Sequence, residues 1–193
     1  MSSNPVSTAL LSYGMSGLVF HAPLIKAHPG FTLSTIVQRK SLTAQNRWPD
    51  VRIARSVEEV INDPSIELVV VNTPNETHYN FTRQALEAGK HVIVEKPFTV
   101  TTQEANSLIA LAKEKKKVLT VFQSRRWDGD FLTVKRVIDN MLVGRLVEFE
   151  AHYDRFRNYI EPNTWKEERS EGTGILYNLG SHILDQALLL FGL

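Results

Sequence analysis

Thr8-Ala9-Leu10-Leu11-Ser12-Tyr13-Gly14-Met15-Ser16-Gly17 opens as a short apolar strand and closes as a glycine-bearing loop. A helical window follows at once, over residues 17–27. Strand, loop and helix in this order place a turn at the carboxyl end of a strand, with unpaired N–H groups at the helix start that suit a phosphate. The loop reads as G-x-G-x-x-G with serine in the first place. Gly14 would let the backbone approach a pyrophosphate, and Gly17 would let the helix pack close to the strand. Tyr13, Met15 and Ser16 fill the loop between them. Ser12 is a departure, because the first position normally makes the tight turn and serine can make it only while its φ stays negative.

The same alternation continues outward. Strands are expected at residues 8–11, 32–37, 68–72, 91–95 and 118–122, and helices near 17–27, 56–62, 77–88 and 102–115. Alternating strands and amphipathic helices predict an α/β fold with a doubly wound parallel sheet. Gly89 is placed as a helix C-terminal cap, and Thr101 or Thr102, with Glu104 close behind, as an N-cap. After Phe122 the pattern changes. Residues 128–141 look helical, and residues 146–157 alternate so that Val147, Phe149, Ala151, Tyr153 and Arg155 share one face of a long strand. A polar stretch over 158–173 precedes a last helix near 176–190. The expected division is a nucleotide-binding domain over 1–124 and, over 125–193, the first part of a second α/β domain with a mostly antiparallel sheet whose remaining strands lie beyond this sequence.

The run Val92-Ile93-Val94-Glu95-Lys96-Pro97-Phe98 ends a buried-type strand in a lysine and a proline. In an open parallel sheet, ligands collect at the carboxyl ends of the strands, so Lys96 is aimed into that crevice as a cationic acid/base. An X-Pro bond is the one peptide bond that turns cis at modest cost, about 0.5–1 kcal/mol.

The cofactor follows from an absence. An NAD-type site has an acid about 20 residues past the glycines for the ribose 2′-OH. Here no Asp or Glu precedes Asp50, and strand two ends in Gln38-Arg39-Lys40-Ser41. Arg39 can fork onto a 2′-phosphate and Ser41 can donate to it, so NADP is favoured over NAD.

Composition excludes several classes. The 22 Lys and Arg against 21 Asp and Glu, with no basic stripe interleaved with aromatics, argue against nucleic acid as partner. There is no cysteine, hence no disulfide framework and no thiolate chemistry. No apolar run is long enough for a bilayer and no signal peptide is legible, so a soluble, cytoplasmic protein is expected.

Gly14 and Gly17, Thr73-Pro74-Asn75-x-x-His78, Glu95-Lys96-Pro97 and Gly174-x-x-x-Asn178-x-Gly180-x-His182-x-x-Asp185 occur in this order. With them the chain resembles the Gfo/Idh/MocA oxidoreductases. The segments Phe20-His21-Ala22-Pro23-Leu24, Arg125-Arg126-Trp127-Asp128-x-Asp130-Phe131 and Asp185-Gln186 look closest to an NADP-dependent cyclitol dehydrogenase branch. The resemblance implies an N-terminal Rossmann domain, a C-terminal α/β domain whose open sheet forms an oligomer interface, and hydride transfer between a nicotinamide and a polyol, cyclitol or sugar.

It also assigns roles. Lys96 and His182 match the family's acid/base positions, and which of them takes the proton stays open. Thr73, Pro74, Asn75, His78 and Glu95 join Tyr13 to Gly17, Arg39, Ser41 and Lys96 as cofactor-binding residues. Arg125, Arg126, Trp127, Asn178 and Asp185 are substrate-binding candidates, with sheet packing open for the first three and pairing within the helix for the last. Where many relatives carry an aspartate four residues before the histidine, this chain has Asn178, which hydrogen-bonds but cannot stabilise a cationic imidazole as a carboxylate does. The competing reading is a non-catalytic dinucleotide-binding regulator on the same fold, or an inactive fragment of a longer enzyme.

Overall fold

The computed structural model describes residues 4–154, 156–160 and 170–192. Two compact units are present, one running to Phe122 and one starting at Gln123. The first is built on six strands: β1 (Val6–Leu10), β2 (Phe31–Val37), β3 (Arg52–Ala54), β4 (Leu68–Val71), β5 (His91–Glu95) and β6 (Leu119–Phe122). Their order is β3-β2-β1-β4-β5-β6 and every pairing is parallel. The chain therefore reverses direction of growth between β1 and β4, which opens a crevice at the carboxyl ends of these two strands.

Side-chain pattern explains the layering. Leu68 to Val71 are all buried, as expected for a central strand covered on both faces. On one face Ala9, Val69, Val71, Val92 and Val94 pack with α3 (Val57–Ile61), α4 (His78–Glu87) and α5 (Thr102–Glu114) through Val60, Leu86 and Leu108. On the other, Leu10, Leu33, Ile36 and Val70 pack with α1 (Ala22–Ala27) and α2 (Thr43–Arg47) through Ile25 and Ala44. The register of β2 against β1 skips Ser34, which brings Leu33 and Ile36, three residues apart, to one face. The Ser34 hydroxyl is anchored on the Thr8 carbonyl at 3.1 Å.

Local signals set the helix ends. Thr101 accepts from the Glu104 amide while the Glu104 carboxylate accepts from the Thr101 amide, a complete capping box. Thr101→Ala is expected to cost about 1 kcal/mol, read as a lowered urea midpoint with unchanged slope. Gly89 has φ +74° just past α4, the left-handed cap its position predicts. The helix after the glycine loop starts as a π-helical turn, Gly17–His21, before α1.

β3 and α2 have no counterpart among the expected elements. β3 is three residues long and exists through its ladder with Thr35, Ile36 and Val37. The second unit differs more. Its helices α6 (Gly129–Asp139) and α7 (Ser181–Phe191) form, the latter after a π-helical turn at Leu176–Gly180. The expected long strand over 146–157 and its antiparallel sheet are not found among the described residues; Arg155 lies outside them. A strand is defined by its ladder, and residues 146–154 have no partner strand there. The alternation still marks a face: Phe149 meets Phe191 edge to face at 5.3 Å, and the Tyr153 hydroxyl donates to Gln186 at 3.2 Å. Val147, assigned to the same face, is 83% exposed.

Candidate active site

The first unit carries a cavity of about 450 Å³ at the carboxyl ends of β1, β2 and β4, lined among others by Ser12, Tyr13, Arg39, Ser41, Thr73 and Pro74. Five of the expected cofactor residues thus meet in one place. The β1 and β4 ends are stapled together by Ser12 and Asn72. The Ser12 amide donates to Asn72 Oδ1 at 3.0 Å, Asn72 Nδ2 donates to the Ser12 carbonyl at 3.0 Å, and Ser12 Oγ donates to the Asn72 carbonyl at 2.7 Å. Ser12 makes the turn without a positive φ, so the missing glycine imposes no backbone strain.

The two glycines do different things. A Cβ on Gly14 would meet nothing within 4 Å, leaving this backbone open to a ligand. A Cβ on Gly17 would stand 2.7 Å from the Ser12 carbonyl oxygen and 3.0 Å from Asn72 Nδ2, so only glycine lets the helix start this close to β1. Tyr13 is fixed from below, its hydroxyl accepting from Trp48 Nε1 at 2.9 Å. Met15, 69% exposed, projects from the loop, and Ser16 leads into the π-helical turn.

At the β2 end, Arg39 is exposed beside Ser41 on the cavity wall. The turn between them is built by residues that motif reading passes over. Gln38 Nε2 donates to Ser41 Oγ at 2.7 Å and to Thr43 Oγ1 at 2.9 Å, while its Oε1 accepts from the Ala44 amide at 2.8 Å. Arg55, just beyond β3, donates to the carbonyls of Gln38 and Ser41 at 2.9 and 3.1 Å. The sequence signal for both is faint: a glutamine closing a strand, and a lone arginine closing a short one.

At the β5 end, Lys96 is partly exposed and its bond to Pro97 is cis. Glu95 is drawn inward by His21, whose Nε2 lies 2.9 Å from Glu95 Oε1. His78, an expected cofactor residue, lies beneath this strand end. Its side chain is fully buried, with Nδ1 2.7 Å from the Pro97 carbonyl oxygen and Nε2 3.0 Å from that of Thr73. Burial, outweighing the pull of these carbonyls, pushes its pKa below the ordinary histidine value. Asn75, 4% exposed, is likewise below the surface.

The remaining expected residues belong to the second unit. His182 is buried in the first turn of α7, and Asn178 lies four residues before it in the π-helical turn. Asp185 is engaged: Arg126 Nε and Nη2 donate to its two oxygens at 2.7 and 2.5 Å. Arg125 pairs with Asp128 at 2.7 Å and lies over the Tyr153 ring at 5.1 Å, while its carbonyl accepts from Gln186 at 3.0 Å. These contacts fasten α7 to the turn at Ser124–Trp127. Trp127 is 77% exposed. No group of three or more His, Asp and Glu suited to a metal occurs among the described residues, and no described helix is long and apolar enough to cross a membrane.

The model of an oxidoreductase family with an NAD-binding Rossmann fold, Gfo/Idh/MocA, matches residues 7–123, and a Gfo/Idh/MocA C-terminal domain matches residues 131–193. The chain belongs to this family. A Gfo/Idh/MocA relative from Escherichia coli, an uncharacterised oxidoreductase, is 46% identical over 191 residues, covering 99% of this chain and 55% of its own length. A scyllo-inositol 2-dehydrogenase (NADP⁺) of Bacillus subtilis is 40% identical over 188 residues, covering 97% of this chain and 52% of its own. An oxidoreductase from Bacillus cereus superposes with a TM-score of 0.84 at 35% identity, over 97% of this chain and 53% of that one. The chain thus spans about half the length of these Gfo/Idh/MocA relatives.

Proposed function

We propose that this chain acts in NADP-dependent dehydrogenation, transferring a hydride between the nicotinamide and a secondary alcohol of a cyclitol, polyol or sugar. The observation that carries the reading is the cavity at the switch point, with Arg39 and Ser41 on its wall and Lys96 on the neighbouring strand end. A dinucleotide fits this chain's own features. Gly14 leaves backbone open where a pyrophosphate approaches, and the helix begun at Gly17 presents its N–H groups there. Arg39 supplies a planar double donor for a 2′-phosphate, and Gln38 and Arg55 hold the Ser41 turn in place beside it.

When bound, the nicotinamide supplies the hydride acceptor. The protein's share is to orient the alcohol and to move its hydroxyl proton. Lys96 takes the acid/base part from the first unit, and His182, with Asn178 as its neighbour, from the second. The relative that oxidises scyllo-inositol with NADP⁺ supports both the substrate class and the cofactor. A levoglucosan dehydrogenase of Pseudarthrobacter phenanthrenivorans, 34% identical over 137 residues, extends the class to sugars. A cytoplasmic, oligomeric enzyme is part of the same reading.

Titration calorimetry of NADPH and NADH against the parent chain and Arg39→Asp tests the cofactor. The parent should favour NADPH by about tenfold or more, about 1.4 kcal/mol, and the variant should narrow or invert that preference. Equal affinities in the parent would sink the assignment.

A further inference from the structure

Lys96 is flanked in sequence by two residues that buried histidines hold. His21, 3% exposed, ends the π-helical turn begun at Gly17 and sits against the Phe122 ring with centroids 4.4 Å apart. Its Nε2 reaches Glu95 Oε1 at 2.9 Å, and the other carboxylate oxygen, Oε2, accepts from the Lys96 amide at 3.3 Å. On the other side, His78 lies between the carbonyls of Pro97 and Thr73 at 2.7 and 3.0 Å.

Burying a polar ring costs free energy unless its hydrogen bonds are made, and an apolar side chain of similar size would fill either place more cheaply. Neither ring has surface to offer a ligand. What the two share is the peptide segment they grip, one residue before and one after the lysine. Each also starts from a cofactor-facing loop, His21 from the glycine loop and His78 from the turn after Thr73-Pro74.

We propose that His21 and His78 are positioning residues that clamp Glu95 and Pro97 and so set the reach and charge environment of the Lys96 ammonium, joining it to both cofactor loops. The proposal rests on the reading of Lys96 as the acid/base. With His21 donating to it, the Glu95 carboxylate is held and partly neutralised. Without His21, that negative charge would be left without its partner next to the residue that carries the ammonium, and would favour the protonated form of Lys96.

Competitive acetylation with acetic anhydride at neutral pH, read by mass spectrometry, reports the free-amine fraction at each lysine. Lys113, on the far α5, serves as the internal reference. In His21→Leu, Lys96 should label about threefold or more slowly, the equivalent of half a pKa unit. In His78→Leu its rate should depart from the parent by a similar factor. His21→Gln and His78→Gln, whose amides restore donors, should return to within about twofold of the parent. Parent-like labelling of Lys96 in both leucine variants overturns the proposal, as does failure of both glutamine variants to restore the rate. Should His21→Leu not fold, His21→Asn replaces it: its shorter amide falls short of Glu95, so labelling at the parent rate there overturns the proposal. NADPH binding to the parent, read by titration calorimetry, is a separate arm. Its absence counts against the nucleotide site itself, whereas the rates without cofactor decide the clamp.

Discussion

Lys96→Ala is expected to lower hydride transfer by about 10²–10⁴-fold in the catalytically complete protein, with little change in NADPH affinity. The residue stands at the end of β5 in a sheet whose strand order directs ligands to that edge, yet it is not on the wall of the cavity formed by Tyr13, Arg39 and Ser41. Binding and proton transfer should therefore separate on mutation. His182→Ala should behave the same way, from its place in the first turn of α7. Rapid-mixing absorbance with NADP⁺ and scyllo-inositol as probe isolates the chemical step from product release. Rates equal to the parent in both single variants would remove these side chains from the mechanism. A loss of cofactor affinity matching the loss of rate would reassign Lys96 to binding.

The second large effect falls on Gly17. Its replacement by alanine puts a methyl group 2.7 Å from the Ser12 carbonyl oxygen, a contact that real Cβ atoms essentially never make. The obstruction is backbone, so the helix start must move away from β1, at a cost of about 1–3 kcal/mol. The N–H groups proposed to meet the phosphates would retreat with it. Gly17→Ala should therefore lower both the urea midpoint and NADPH affinity, the latter by about tenfold. Gly14→Ala meets no such obstruction and should keep the parent's stability. Equal midpoints for parent, Gly14→Ala and Gly17→Ala would show that the close approach is not needed.

Much of the first unit is legible because its signals are local. The run Leu68 to Val71 is apolar throughout, and the capping box at Thr101 and Glu104 is written within four residues. What escapes reading depends on distant partners. β3 is three residues whose strand character comes from β2, and the Gln38 and Arg55 bonds that shape the Ser41 turn span 3–17 positions. The motif at Thr73 to His78 is a second case. Its spacing singles out His78, but only the packing reveals that the ring lies between the Thr73 and Pro97 carbonyls. In the second unit, alternation correctly marks Phe149 and Tyr153 as a packing face, while strand character requires a ladder that the described residues do not provide.

The bonds between Ser12 and Asn72 carry an evolutionary consequence. Two of the three involve only the backbone of residue 12, so a change there forfeits one bond, while a change at residue 72 that loses the amide forfeits two. Mutational tolerance at the switch point is therefore lopsided. Position 12 can drift among small residues that keep φ negative, and position 72 cannot drift without unpairing part-buried backbone groups. Among homologous chains, the asparagine should vary less than the first place of the glycine signature.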